Sequence, residues 1–345
     1  MAWLFRNKKK KQKKNGILWI GAIGILLILG VLKVHIDSYT VVSRSKDYIK
    51  WVDFQVSYEA LCKAYELDVE TYGEAVHVNW IELLAYVASK NGGDFSKEDV
   101  EELENTKEML CNKKATIEEL TKESEYYSYY KEAYQAVLGG MVGEFELDGK
   151  KKYGLKCFFP IAKDFAYAGY DDFGTSRSYG YKREHLGHDM MGQIGTPIIA
   201  VESGVVEALG WNQYGGWRIG IRSFDKKRYY YYAHLRQNYP YSKTLKEGAV
   251  VTAGDVIGYM GHTGYSTKEN VNNIETVHLH FGMQLIFDES QKECNSEIWI
   301  DVYDLTRFLA QQRSVVEKID TTKEWKRTSK MIDPCVEEYR KAQEK

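Results

Sequence analysis

Cysteine is sparse and scattered. Cys62, Cys111, Cys157, Cys294 and Cys335 stand far apart and no C-x-x-C occurs. A cysteine-built zinc or redox centre is therefore excluded, while one or two disulfides and buried free thiols are both compatible with the spacing. Proline is missing altogether from residues 37–149, which hold seven glycines, whereas residues 154–282 carry three prolines and 18 glycines. Turn residues at the second density predict many short strands, and their scarcity upstream predicts helices. No repeat or low-complexity segment is present beyond one lysine run. A large net charge is also lacking, at −2 over 345 residues, but the sign is unevenly placed. Arg6, Lys8, Lys9, Lys10, Lys11, Lys13 and Lys14 crowd the first 14 residues without an acid among them. Nucleic acid is not the predicted partner of that run, because "GILWIGAIGILLILGVL" follows it over residues 16–32. These 17 uncharged residues would span roughly 25 Å as a helix. Lysines before a first apolar helix orient its N-terminus to the cytoplasm. The stretch beyond, "VLKVHIDSYTVVS", lacks an A-x-A cleavage pattern. A basic tail over 1–15 and an uncleaved membrane anchor over 16–36 are thus expected, with the rest of the chain outside the membrane.

The helical region expected over 37–149 also lacks something. "WIELLAYVASKNGGDFS" resembles the opening helix of lysozyme-like transglycosylases, yet Lys90 stands where their catalytic glutamate would fall. It reads as an amphipathic helix that packs. Ser96 with Asp99, and Thr116 with Glu119, predict capping boxes opening two helices. Gly92–Gly93 and Gly139–Gly140 predict stops, and the tyrosines of "EYYSYYKEAY" predict one packed helix face.

Histidine is scarce as well, at eight residues, but six of them lie between His185 and His280. In "VHLHFGM" the pair His278 and His280 would share one face of a strand, since alternate side chains point to opposite sides. Upstream stand, in order, "HLGHD", "GTPIIAVESGVVEALGW", "YYYYAHL" and "GDVIGYMGHTGYS". Together these blocks resemble the lysostaphin-type (LytM-domain) zinc metallopeptidases, which are peptidoglycan endopeptidases. The resemblance covers about residues 155–305, including "FGTSR" upstream and "WIDVY" downstream.

Catalytic zinc takes three protein ligands and keeps one position open. The resemblance implies His185, Asp189 and His280 as ligands of one Zn²⁺ per chain. It implies His234 and His278 as the catalytic pair, one taking a proton from the attacking water and one hydrogen-bonding the tetrahedral intermediate. Which does which stays open. His188 stands where the family usually has an apolar residue, His262 reads as a turn residue, and Tyr179 and Tyr181 lie near the family's transition-state tyrosine. Two departures bear on substrate preference. "TKENVNNIET" inserts roughly eight residues before the second histidine pair, as a loop would. Gly282 replaces the commoner glutamate.

The implied fold class is α+β: an N-terminal transmembrane helix, a helical region, then an antiparallel β-sandwich peptidase domain over 150–310, related to lipoyl carriers. A polar helical tail is expected over 311–345. The implied function is that of a membrane-anchored, extracytoplasmic zinc endopeptidase, whose partners are the membrane and the peptide stems or cross-bridges of peptidoglycan. Lipoyl-like membrane-fusion adaptors and inactive LytM-type scaffolds share parts of this outline, but adaptors lack the His/Asp set and scaffolds typically lose some of the five residues.

Overall fold

A computed structural model describes residues 48–179, 181–292 and 296–344, with the backbone alone at Tyr181. The expected basic tail, the anchor over 16–36 and residues 37–47 lie outside these. Among the described helices none is long and apolar enough to cross a membrane.

The proline-free stretch forms helices α1 (Tyr58–Thr71), α2 (Trp80–Asn91), α3 (Lys97–Cys111), α4 (Ile117–Thr121) and α5 (Tyr127–Leu138). Both expected capping boxes form: Ser96 and Asp99 satisfy each other's backbone N–H, as do Thr116 and Glu119. Gly92 stops α2 at φ +82°, a left-handed turn that favours glycine. Lys90 pairs with Glu102 at 2.6 Å. Of the tyrosine run, Tyr134 is fully buried, edge-on to Phe54, while Tyr126 is exposed.

Seventeen strands follow among the described residues. They are β1 (Val142–Leu147), β2 (Lys150–Leu155), β3 (Ala168–Gly169), β4 (Ser176–Tyr179), β5 (Tyr181–Glu184), β6 (His188–Met191), β7 (Pro197–Ile199) and β8 (Gly204–Asn212). Next come β9 (Gly216–Ser223), β10 (Arg228–Ala233), β11 (Val250–Val251), β12 (Val256–Tyr259), β13 (His278–Leu285) and β14 (Ile298–Ile300). After helix α6 (Tyr303–Leu309) stand β15 (Val316–Lys318), β16 (Trp325–Arg327) and β17 (Met331–Ile332), then helix α7 (Pro334–Gln343). The chain divides into two units after Ile49, and the second contains every one of these elements.

The main sheet is eight-stranded and antiparallel, in the order β11-β8-β9-β10-β13-β6-β3, with β14 also on β13. Alternation along β13 buries Leu279, Phe281, Met283 and Leu285 completely on one face. His278, His280, Gly282 and Gln284 take the other. The fold is thus mixed α+β, a helical region followed by an antiparallel sheet domain.

Two expected boundaries move. The helical region ends at Leu138, and the 149/150 boundary falls inside the β1–β2 hairpin, whose last pair is Leu147 with Lys150. The segment from 311 is helical only over α7. Before that, β15 pairs β16 and β17 pairs β1. The cause is packing: Met331 is buried with Phe145, Phe158, Ile199 and Ala253, and Val316 packs against that cluster. Strands of two or three residues leave too little periodicity to be read in a polar sequence.

Arg228, fully buried, ties the helices to the sheet. It donates through Nε to Glu202 at 2.8 Å and through Nη1 to the Ala136 carbonyl in α5 at 2.9 Å, and Tyr230 donates to the same Glu202 at 2.7 Å. The four described cysteines are free thiols; Cys294 lies outside the described residues.

Candidate metal centre and catalytic cleft

Register brings the expected ligands together. On β13 His280 lies directly opposite Asp189 of β6, so their side chains share a face. His185 precedes β6 and closes the set. His185 Nε2 lies 2.9 Å from Asp189 Oδ1 and 3.0 Å from His280 Nδ1, and the third side of the triangle, His280 Nδ1 to Asp189 Oδ1, is 2.9 Å. Gly187 makes room for this. A Cβ there would stand 2.7 Å from His280 Cε1 and 2.7 Å from the Phe281 carbonyl oxygen.

The chemistry of the three atoms shows whether a cation fits. His185 Nδ1 faces two acceptors of Asp172, the main-chain carbonyl and Oδ1, both at 3.2 Å. Either one requires the proton on Nδ1, which leaves a lone pair on Nε2. That lone pair points at a carboxylate oxygen and a second imidazole nitrogen, a repulsive arrangement unless a cation or extra protons lie among them. Sides near 3 Å are close to the ~3.3 Å separation of ligands held ~2 Å from a tetrahedral zinc. One carboxylate and two imidazoles also match zinc's donor preference. The residues fit one metal ion, and among the described residues this group stands out as a possible metal set.

Electrostatics agree. Burial alone would raise Asp189, but hydrogen bonds with His185 and His280 hold its carboxyl well below the usual carboxylate range. Burial disfavours charge on His185, and the adjacent Asp189 more than offsets it, lifting the ring above its ordinary value. Arg177, paired with Asp172, stands 3.6 Å from Asp189 Oδ2 and backs the carboxylate.

His234 and His278 flank this centre, with ring centroids 4.7 Å apart. Each is fixed through Nδ1 to a backbone carbonyl, His234 to Thr263 at 3.0 Å and His278 to Thr276 at 2.8 Å. A carbonyl only accepts, so Nδ1 carries the proton and Nε2 presents a lone pair. His278 Nε2 lies 3.7 Å from Asp189 Oδ1. Burial, then the nearby His278 and His280, pushes His234 well below its ordinary range; burial lowers His278 too, against the pull of Asp189. Two neutral bases thus sit beside a three-ligand face. His234 adopts φ +61°, a conformation uncommon for a side chain this large, and one often found at active sites.

The remaining singled-out residues lie elsewhere. His188 points away from Asp189 by strand alternation; its Nδ1 meets Thr306 Oγ1 at 2.8 Å, and burial pushes its pKa down to about 4. His262 takes the Ile274 carbonyl through Nδ1 at 2.6 Å and so anchors the inserted loop. Tyr179 stacks on Tyr265 at 4.9 Å, and Tyr265 in turn stands edge-on to His234. The side chain of Tyr181 lies outside the described residues. Sequence reasoning missed Asp172, although "FGTSR" begins at the next residue, and it missed Arg183 and Arg218.

His185, Asp189, His234, His278 and His280 line a cleft of about 840 Å³, together with Arg183, Arg218 and Asn273 to Thr276 of the inserted loop. Gly282 admits Trp299, which also lines the cleft: a Cβ at 282 would stand 2.9 Å from its ring.

A three-ligand His-Asp-His face with two backbone-oriented histidines in an open cleft can hold one metal ion beside two bases. Residues 183–293, about a third of the chain, match Peptidase family M23. The chain is 40% identical over 124 residues to the L-Ala–D-Glu endopeptidase of Bacillus subtilis, a stretch covering 36% of each chain. It is 39% identical over 98 residues to lysostaphin of Staphylococcus staphylolyticus, covering 28% of this chain and 18% of that one. The chain thus spans little more than a third of the first relative and less of the second. Among solved structures, it resembles a Ruminococcus gnavus protein designated a glycyl-glycine endopeptidase lytM. That match has a TM-score of 0.50 and 25% identity and covers 77% of this chain and 92% of the other.

Proposed function

We propose that this chain is a zinc-dependent endopeptidase that hydrolyses peptide bonds of bacterial peptidoglycan, tethered to the membrane by residues 16–36 with its catalytic domain outside. The observation that carries the enzymatic part is the convergence of His185 Nε2, Asp189 Oδ1 and His280 Nδ1 within 3.0 Å, beside two histidines whose Nε2 atoms are free to take a proton. Zinc bound by the three ligands would supply Lewis acidity toward a peptide carbonyl and lower the pKa of water. The chain's own part is acid–base and positional. His234 and His278, both neutral, can accept the proton of the attacking water at Nε2. Once protonated, that nitrogen can donate to the leaving amine or to the oxyanion. The cleft orients the peptide across β13.

The relatives' printed names support wall peptides as the substrate class, and the lysine run before the uncharged segment supports the tether. The catalytic domain is expected to have the lipoyl-like sandwich arrangement. The test is mass spectrometry of purified muropeptides incubated with the zinc-loaded chain: new amine and carboxyl ends within the peptide are expected. A protein that binds zinc stoichiometrically yet leaves every muropeptide intact would refute the enzymatic reading. Protease added to wall-stripped cells should degrade the catalytic domain; full protection until lysis would refute the tether.

A further inference from the structure

Arg218 and Arg183 stand out in the cleft for having no counter-charge. The other two cations lining it are matched, Arg177 by Asp172 and Lys292 by Glu207. Among the described residues no carboxylate pairs with Arg183 or Arg218. Each also carries a buried guanidinium nitrogen without a hydrogen-bond partner, Nη1 of Arg183 and Nε of Arg218. An unsatisfied, desolvated cationic N–H is costly, and the cost is recovered when an anion arrives.

Their placement is set by the sheet. Tyr232 lies opposite Ile219 at the end of the β9–β10 ladder, and Ala233 and Arg218 are the next residues on the two strands. Ala233 in turn lies opposite His280, and His280 opposite Asp189. Ala233, His280 and Asp189 form one cross-strand row, and Arg218, just past the end of the β9–β10 ladder, lines the same cleft beside it. The small Ala233 separates the arginine from the metal ligand. Two strand spacings put the Cα atoms of Arg218 and His280 about 10 Å apart. An extended peptide advances about 3.3 Å per residue. An anion at Arg218 thus belongs one or two residues from a bond lying at the metal centre. Arg183 approaches from β5, donating through Nη2 to Tyr265 at 2.8 Å, with its guanidinium 5.1 Å from the Tyr214 ring. Burial raises the Tyr231 phenol and both arginines act to lower it, which places both charges near that one side chain.

We infer that Arg218, assisted by Arg183, is a carboxylate-binding subsite that selects substrates with an acidic residue beside the cleaved bond, and this rests on the peptidase reading above. A planar guanidinium suits the two oxygens of a carboxylate. A glycine bridge offers no such group, so the subsite favours stem peptides containing a free acidic residue over uncharged cross-bridges.

The experiment compares two muropeptides identical except that a glutamyl α-carboxyl is free in one and amidated in the other. Cleavage is measured as kcat/KM for the unaltered chain, Arg218→Gln, Arg218→Lys and Arg183→Gln. Binding is measured by calorimetry in the His278→Ala background. The unaltered chain should favour the free carboxylate by roughly 10–100-fold, the usual worth of a charged hydrogen bond. Arg218→Gln should lose that preference through the acidic peptide while the amidated peptide changes little, and Arg218→Lys should keep part of it. Equal handling of the two peptides by the unaltered chain, or an equal loss on both in Arg218→Gln, would overturn the subsite while leaving the peptidase standing. Preferential binding of the free carboxylate without any cleavage would instead overturn the peptidase and leave the subsite.

Discussion

Gly187→Ala is the smallest change expected to disable the metal centre. The added Cβ would lie 2.7 Å from His280 Cε1, 2.8 Å from His280 Nε2 and 2.7 Å from the Phe281 carbonyl oxygen. Ordinary carbon contacts fall near 3.5–4.0 Å, so about 1 Å of overlap must be relieved. The carbonyl belongs to the β13 backbone, which is held on both sides by β6 and β10. The imidazole is the softer partner, and rotation of its ring carries Nδ1 out of a triangle whose sides are 2.9–3.0 Å. Residual overpacking should cost about 1–3 kcal/mol of stability. Zinc affinity should fall by roughly 10–100-fold, comparable to losing the support of a ligand. Chelator competition reads the affinity, thermal unfolding reads the stability, and muropeptide cleavage at saturating zinc reads what activity survives. Unchanged zinc affinity in a stably folded Gly187→Ala protein would refute the reasoning, because the ring must then have room that the structure does not show.

The other predictions separate roles. His280→Ala and Asp189→Ala each remove a ligand, so elemental analysis should find zinc lost together with activity; zinc retained in either would reverse the assignment. His278→Ala and His234→Ala leave the ligands intact and should keep one zinc per chain while cleavage drops by roughly 10²–10⁴-fold. Chelation should abolish cleavage, and added zinc should restore it, without a change in far-UV circular dichroism, because two of the three ligands, Asp189 and His280, stand on strands fixed by the ladder. Unfolding on chelation would contradict that. Arg228→Ala leaves Glu202 buried without its cation and should lower stability by about 3–5 kcal/mol in a denaturant titration. A loss under 1 kcal/mol would show that the buried pair does not tie α5 to the sheet.

Much of the centre was legible because it obeys a period of two. His278 and His280 could be placed on one face of a strand from spacing alone, and both capping boxes could be read from residues three apart. What was not legible depends on register between distant strands. Nothing local puts Arg218 beside the row of His280, since that follows from the β9–β10 and β10–β13 pairings. Gly187 and Gly282 are equally silent in sequence: each is explained by a ring that arrives from another strand, His280 at one and Trp299 at the other. The strands after residue 311 escaped because each is only two or three residues long, and β15 and β17 pack on a cluster supplied by segments more than 60 residues away.

The inserted loop shows how the two kinds of information meet. Sequence marks residues 267–276 as extra and places them beside the cleft, which suggests a freely variable segment. Yet Thr276, at its end, supplies the carbonyl that selects the tautomer of His278. The loop is correspondingly fastened. His262 holds the Ile274 carbonyl, Trp217 donates to Asn270 at 2.9 Å, Gln237 donates to the Asn270 carbonyl at 2.7 Å, and Asn273 donates to the Tyr265 carbonyl at 2.7 Å. Three of the site's histidines, His185, His234 and His278, are within reach of main-chain carbonyls, of Asp172, Thr263 and Thr276. A carbonyl is present whatever residue carries it, so at these positions it is the path of the chain, and not the identity of the side chain, that keeps the lone pairs aimed at the substrate. The side chains that must stay are those that hold the path, which is why an insertion rich in asparagine can lie against His278 without disturbing it.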